Sequence, residues 1–161
     1  MRTAALAVIT SFSLAACASL RAPPPPAPPP APPPGAAIAA AAAAQVGTPY
    51  HFGGADAVGF DCSGLAFYAH ERVGLTIPRS AVAQQRAARP VPLAELAPGD
   101  LVFFHIRSHG IDHVGVYAGD GRFIHAPRAG GAVSYADLRH GYYAQHLASG
   151  GRFWEAAPRA R

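Results

Sequence analysis

Three residues in this chain could together carry out nucleophilic chemistry: the cysteine Cys62 and the histidines His113 and His125. A thiolate attacks carbonyl carbon, an imidazole takes up and returns the thiol proton, and a third group turns the imidazole toward the sulfur. Cys62 lies in Phe60-Asp61-Cys62-Ser63-Gly64. Asp61 is a good helix N-cap, and Leu65, Tyr68, Ala69, Arg72 and Val73 follow at spacings that make one face of a 3.6-residue period. Gly74 supplies the stop. The spacing predicts a helix with Cys62 in its first turn, where unsatisfied N–H groups and the macrodipole favour an anion. The thiol is therefore expected to titrate below the ~8.5 of free cysteine. Asp61 opposes this, so a nearby imidazolium has to outweigh its charge. A free cysteine has a second reading, as a small apolar filler of the core.

The histidines depend on a hairpin. Leu101-Val102-Phe103-Phe104 reads as an apolar strand after the turn Pro98-Gly99-Asp100, and His113–Tyr117 and Arg122–His125 read as two strands joined across Gly119-Asp120-Gly121. Register decides whether the two imidazoles share a face, because side chains alternate along a strand. A two-residue Asp120-Gly121 loop pairs Val116 with His125 and sends His113 to the opposite face. A three-residue loop with Gly121 left-handed pairs Gly115 with His125 and makes the histidines diagonal neighbours. In that register His125 can orient His113, and His113 can face the thiol. Pro78-Arg79-Ser80 reads as a turn into a short helix through Gln84 and Gln85.

The remaining histidines, His51, His70, His105, His109, His140 and His146, read as surface or hydrogen-bonded structural residues. His105, His109 and His113 recur every fourth residue, a spacing that binds metal on a helix. Ser108, Gly110 and the strand-like flanks argue against a helix there, so no metal site is assigned.

The 161 residues leave room for one domain with a proper core. Its charge of +4 is carried by arginine with no lysine, and it lacks the dense basic stripe expected for nucleic acid. An apolar run from Ala4 to Ala16 follows Arg2 and is too short to span a membrane, but it fits an export signal. Leu14-Ala15-Ala16-Cys17 resembles the lipobox of bacterial lipoproteins, which makes residues 1–16 a signal peptide and Cys17 the lipid attachment point; the alternative is an ordinary secretory signal ending near Ala16 or Ala18. Residues 22–34 hold ten prolines and three alanines, a semi-rigid polyproline spacer of roughly 40 Å. The expected organisation is a signal at 1–16, a lipidated linker at 17–35 and a domain at 36–161. Residues 36–44 read as a first helix or as further linker, with only Ile38 and Val46 to anchor a helix.

Six motifs stand in one order: Thr48–Gly54, Phe60–Gly64, Pro78-Arg79-Ser80, Pro98–Phe104, His113–Tyr117 and Phe123-Ile124-His125-Ala126. In this order they resemble the NlpC family of bacterial cell-wall cysteine peptidases, over roughly residues 38–156. The resemblance implies a papain-like α+β fold, its nucleophile helix packed on an antiparallel sheet. It implies hydrolysis of amide bonds in peptidoglycan stem peptides, commonly the one between γ-D-glutamate and the following diamino acid, through a thioester. Carried over residue by residue, Cys62 is the nucleophile, His113 the base and His125 the group that orients it. Tyr50 aligns near the oxyanion site, and Asp61 and Ser63 flank the nucleophile where the stem peptide's amino terminus is gripped. No cofactor is implied. The expected partners are stem peptides and, through the lipid, the membrane, with a monomeric chain in the cell envelope facing the periplasm from the outer membrane. The same scaffold also serves an acyltransferase or amidase, or a non-catalytic cell-wall-binding protein. The absence of lysine and the Ser108–Asp112 loop are particular to this chain.

Overall fold

Pro34 opens the first helix, α1 (Pro34–Ala43), of the computed structural model, which describes residues 33–107 and 109–154. The signal segment, Cys17 and the proline run through residue 32 lie outside the described residues. Proline suits the first helical position because its missing N–H would have no partner there. The segment read as helix or linker is helix. Ile38 is fully buried as expected, but Val46 is exposed, and Gly35, Ala39 and Ala42 complete the packed face. Gly35 lies so close to the Trp154 ring and the Pro98 carbonyl that a Cβ there would clash.

A two-stranded ribbon, β1 (Ala55–Asp56) and β2 (Gly59–Phe60), leads into α2 (Cys62–Glu71), and α3 (Ala81–Ala87) follows. The strands β3 (Arg89–Val91), β4 (Leu101–Phe104), β5 (His113–Gly119), β6 (Arg122–His125) and β7 (Ser134–Asp137) come next. A short helix, α4 (Gly141–His146), runs into β8 (Leu147–Arg152). Six strands form one antiparallel sheet in the order β3-β8-β4-β5-β6-β7. The expected α+β architecture is the one observed.

The apolar run Leu101–Phe104 is buried at all four positions because both faces of β4 are covered. Leu101 and Phe103 join Val114, Val116 and Ile124 against Ile38 of α1 and Leu65 and Ala69 of α2. Val102 and Phe104 join Phe123 and Leu138 on the other face, with Tyr143 of α4 against them. At the edge of the core Asp100, fully buried, accepts hydrogen bonds from Ala97 N–H at 2.8 Å and Arg152 Nη2 at 2.6 Å. The Arg152 guanidinium stacks 4.4 Å over the Trp154 ring, which meets α1 at Gly35. A buried charge held by a guanidinium and an N–H is compensated where it stands.

The hairpin combines features of both anticipated loops. Gly119 pairs with Arg122, so the loop is the two-residue Asp120-Gly121, with both residues left-handed at φ 52° and 70°. That is the backbone two-residue hairpins favour. Yet Tyr117 pairs with Phe123 and Val116 with Ile124, the register assigned to the three-residue loop. The extra residue is absorbed in a bulge at Ala118 within β5, not in the loop. Continued one rung, this register sets Gly115 level with His125.

Candidate active site

The turn that carries Cys62 is built around Asp61. Its carboxylate caps α2 by accepting Gly64 N–H at 2.6 Å and also accepts Gly53 N–H at 3.0 Å and Ser63 Oγ–H at 3.1 Å. Arg79 forks onto it, Nη1 at 2.9 Å and Nη2 at 2.8 Å, while the same nitrogens donate to Ser63 Oγ and to the Gly54 carbonyl. Burial pushes the Asp61 carboxyl up, but the Arg79 fork, the Gly64 N–H and the Ser63 hydroxyl together outweigh it and hold the group below the ordinary carboxylate value. Gly64 is required by contact, because a Cβ would strike the Gly54 carbonyl. The sequence reading of Asp61 as N-cap stands, whereas Arg79 was seen only as part of a turn motif. Its partner lies 18 residues upstream, and local spacing carries no signal for such a pair.

Cys62 lines a cleft of about 420 Å³ whose walls also include Tyr50, Asp61, Ser63, Arg107 and His113. Burial pushes the thiol upward and Asp61 adds to it, while the N–H groups of Val114, Ser63 and Cys62 itself pull it down. The net direction is up. This corrects the expectation of a depressed thiol: the first-turn N–H groups do act on the sulfur, but desolvation outweighs them, and no imidazolium stands by.

His113 explains why none does. Burial drives its imidazole down to about 4, with Asp112 opposing and Arg107 adding, and His125 is driven down to about 3 by burial and by His113. Both rings are neutral at pH 7. His113 Nε2 lies 2.8 Å from His125 Nδ1. Two neutral rings can share that bond when His113 Nε2–H donates to His125 Nδ1, which leaves the lone pair on His113 Nδ1. This tautomer makes His113 a base toward the cleft that Cys62 lines. Phe104, Phe123 and Tyr143 enclose the two rings. The Tyr143 centroid is 4.8 Å from His125 and 6.1 Å from His113. Gly115, level with His125, carries no side chain, yet the space it leaves is not taken by the imidazoles. It accommodates Phe123, whose ring a Cβ would strike.

Tyr50 is half-buried in the same cleft, its hydroxyl pushed up by burial, Cys62 and Asp61. Ser63 is 7% exposed and engaged by Asp61 and Arg79, whose opposite charges already offset each other in an ion pair. Residues 105–107 and 109–112 are not helical, and among the described residues no cluster of three His, Cys, Asp or Glu could hold a metal. Instead Asp112 closes this loop by accepting the N–H groups of Ile106 and Arg107 at 2.7 and 2.6 Å. Sequence reasoning missed Arg79, Arg107, Asp112 and Tyr143 at the site. The others emerge only when distant loops meet, but Asp112 could have been suspected from its place beside His113.

A sequence model of the NlpC/P60 family matches residues 47–152. Murein DD-endopeptidase MepH of Escherichia coli is 45% identical over 107 residues, covering 63% of this chain and 40% of that protein. Gamma-D-glutamyl-L-lysine dipeptidyl-peptidase of Bacillus subtilis is 38% identical over 104 residues, covering 63% of this chain and 35% of that protein. The chain thus spans less than half the length of either relative. The crystal structure of the NlpC/p60 domain of peptidoglycan hydrolase SagA superposes with a TM-score of 0.65 at 34% identity, covering 74% of this chain and 98% of that one.

Proposed function

This chain belongs to the NlpC/P60 family, and from that membership and the geometry of the cleft we propose that it is a peptidoglycan endopeptidase working as a cysteine peptidase. One observation carries the reading: His113 lines the cleft with Cys62 while its far nitrogen is held 2.8 Å from His125. In the proposed reaction Cys62 Sγ attacks the scissile carbonyl carbon as its proton passes to His113 Nδ1. Thiol and imidazole are both neutral at rest, so attack and proton transfer occur together. The oxyanion is met by N–H groups at the start of α2 and by the Tyr50 hydroxyl. The His113 proton then goes to the leaving amine, the C–N bond breaks, and a thioester remains. Water, deprotonated by His113, attacks the thioester, releases the carboxylate product and restores the thiol. His125 keeps the His113 ring in its tautomer and orientation throughout.

The proposed bond is the one between γ-D-glutamate and the diamino acid, in keeping with the name of the Bacillus subtilis relative, whereas that of the Escherichia coli relative points to a DD bond. Incubating the full chain with defined muropeptides and weighing the products distinguishes the two, with Cys62→Ala as control. Cleavage at the γ-D-glutamyl bond is expected, and products of a DD cut would reassign the specificity. No cleavage of any muropeptide by the wild type, or equal cleavage by Cys62→Ala, would remove the reading. A product heavier by an acceptor amine would indicate acyl transfer in place of hydrolysis. We further propose that Cys17 is lipidated and tethers the domain to the outer membrane, facing the periplasm. The support is the lipobox-like Leu14–Cys17 and the proline spacer behind it. Membrane fractionation of Cys17→Ser against wild type tests it, and a wild-type protein found wholly soluble would refute it.

A further inference from the structure

The catalytic cleft continues past Tyr50 and Phe52 into a second cavity of about 520 Å³, and both are walled by Arg107. Arg128, from the loop after β6, closes the far side of this second cavity beside Ala129. Two arginines from separate loops thus line one open space that adjoins the catalytic cleft. Both residues are exposed, and among the described residues neither side chain has an ion pair or hydrogen bond. The adjacent acid, Asp112, already spends its two oxygens on the N–H groups of Ile106 and Arg107. The positive charge of Arg107 nevertheless reaches the site, for it lowers Tyr50, Asp112 and His113 alike. Like charges converging on one cavity repel until an anion lies between them, and a guanidinium fork matches a carboxylate in both shape and charge. Phe52, 86% exposed, gives the cavity an apolar wall suited to the carbon chain behind such a group.

We propose that Arg107 and Arg128 form a carboxylate-binding subsite that selects peptides carrying a free carboxylate next to the scissile bond. The inference rests on the endopeptidase reading and deepens it. A glutamate linked through its γ-carboxyl keeps its α-carboxylate free on the very residue whose carbonyl is attacked, and this is the group assigned to the subsite. A carboxylate on the diamino acid has the same chemistry, and the experiment separates the two sources.

The full chain carrying Cys62→Ala is titrated with synthetic L-alanyl-γ-D-glutamyl-diamino acid peptides, either free at every carboxyl, amidated at the glutamate α-carboxyl, or amidated at the diamino acid. The free-acid peptide should bind about tenfold tighter than the α-amide, the worth of a charged hydrogen bond discounted for exposure. In the Arg107→Ala/Arg128→Ala form the two should bind alike, and added salt should erode the preference only where the arginines are present. A preference that follows the diamino acid carboxylate and vanishes with the arginines keeps the subsite and changes its ligand. Discrimination that survives loss of both arginines, or none in the parent protein, overturns the proposal. Turnover by the Cys62 protein is measured on the same peptides. Peptides bound with arginine-dependent discrimination but never cut sink the endopeptidase reading and leave the subsite standing. Peptides cut with no arginine-dependent preference do the reverse.

Discussion

At the scale of single residues, the pair Cys62–His113 shows how burial sets protonation. A cysteine at a helix start beside an imidazole suggests a standing thiolate–imidazolium pair, but the cleft is too desolvated for either charge at rest. The consequence can be measured by alkylation with iodoacetamide between pH 5 and 10. The rate for wild type should keep climbing past the ~8.5 of free cysteine, without a plateau at low pH. His113→Ala should leave that profile almost unmoved while turnover falls by about 100-fold or more, the usual worth of a general base. A plateau beginning near pH 5 that disappears in His113→Ala would show a preformed ion pair and refute the neutral description. The identities of the thiol, the two histidines and the capping Asp61 were legible because each sits in a short motif with its own local physics. Their charge states were not, since desolvation depends on what the rest of the chain lays over them. Arg79 was hidden for a related reason, as its fork onto Asp61 joins loops 18 residues apart.

At the scale of elements, α2, α3, β4 and the β5–β6 hairpin follow directly from capping residues, turn residues and periodicity. The hairpin's interior was harder to read. Two loop lengths were open, and the structure takes the shorter loop with the longer loop's register by bulging Ala118 out of the ladder. The bulge is an inserted residue, so the pairs on either side of it already agree with a regular two-residue hairpin. Deleting Ala118 should therefore keep Gly119 opposite Arg122 and Tyr117 opposite Phe123, hold His113 and His125 on one face, and preserve cleavage. Inserting a second residue beside it should push the ladder toward a slip of one, which moves every side chain of β5 to the other face. Activity on a muropeptide and an NMR reading of the hydrogen-bonded imidazole proton between the rings would check both variants. Loss of that proton on deletion of Ala118 would show that the bulge itself, and not the register, holds the pair together. The meeting of α4 with this hairpin carried no local signal, because Tyr143 reaches the rings only through the chain reversal that brings β8 beside β4.

At the scale of the whole molecule, the domain keeps three histidines in its interior, and all of them are lowered by burial. His70 is fully buried, its Nδ1–H donating to the Ala66 carbonyl at 2.8 Å, and His113 and His125 sit at about 4 and about 3. In the unfolded chain each would titrate near its ordinary 6.5. Between that value and the folded ones the unfolded state binds more protons than the native state, so stability rises with pH. The contribution is complete above pH 6.5 and is lost as pH falls toward 4. The aspartates Asp61 and Asp112 are also lowered, but from an ordinary value of 3.8, so their share is lost only in stronger acid. Acid sensitivity in the window from 6.5 to 4 is thus a histidine effect, on the order of 2 kcal/mol for each of His113 and His125 by pH 5. Set against a total stability of about 5–15 kcal/mol, that is a large fraction. Thermal unfolding of the full chain should show a midpoint roughly 10 °C lower at pH 5 than at pH 7.5. The double variant His113→Asn/His125→Asn, whatever its stability at pH 7.5, should lose about half of that difference or more, because the groups that take up the protons are gone. A wild-type midpoint that stays level across this range would mean that the interior admits the imidazolium ions after all, and the neutral resting state of the catalytic pair would fall with it.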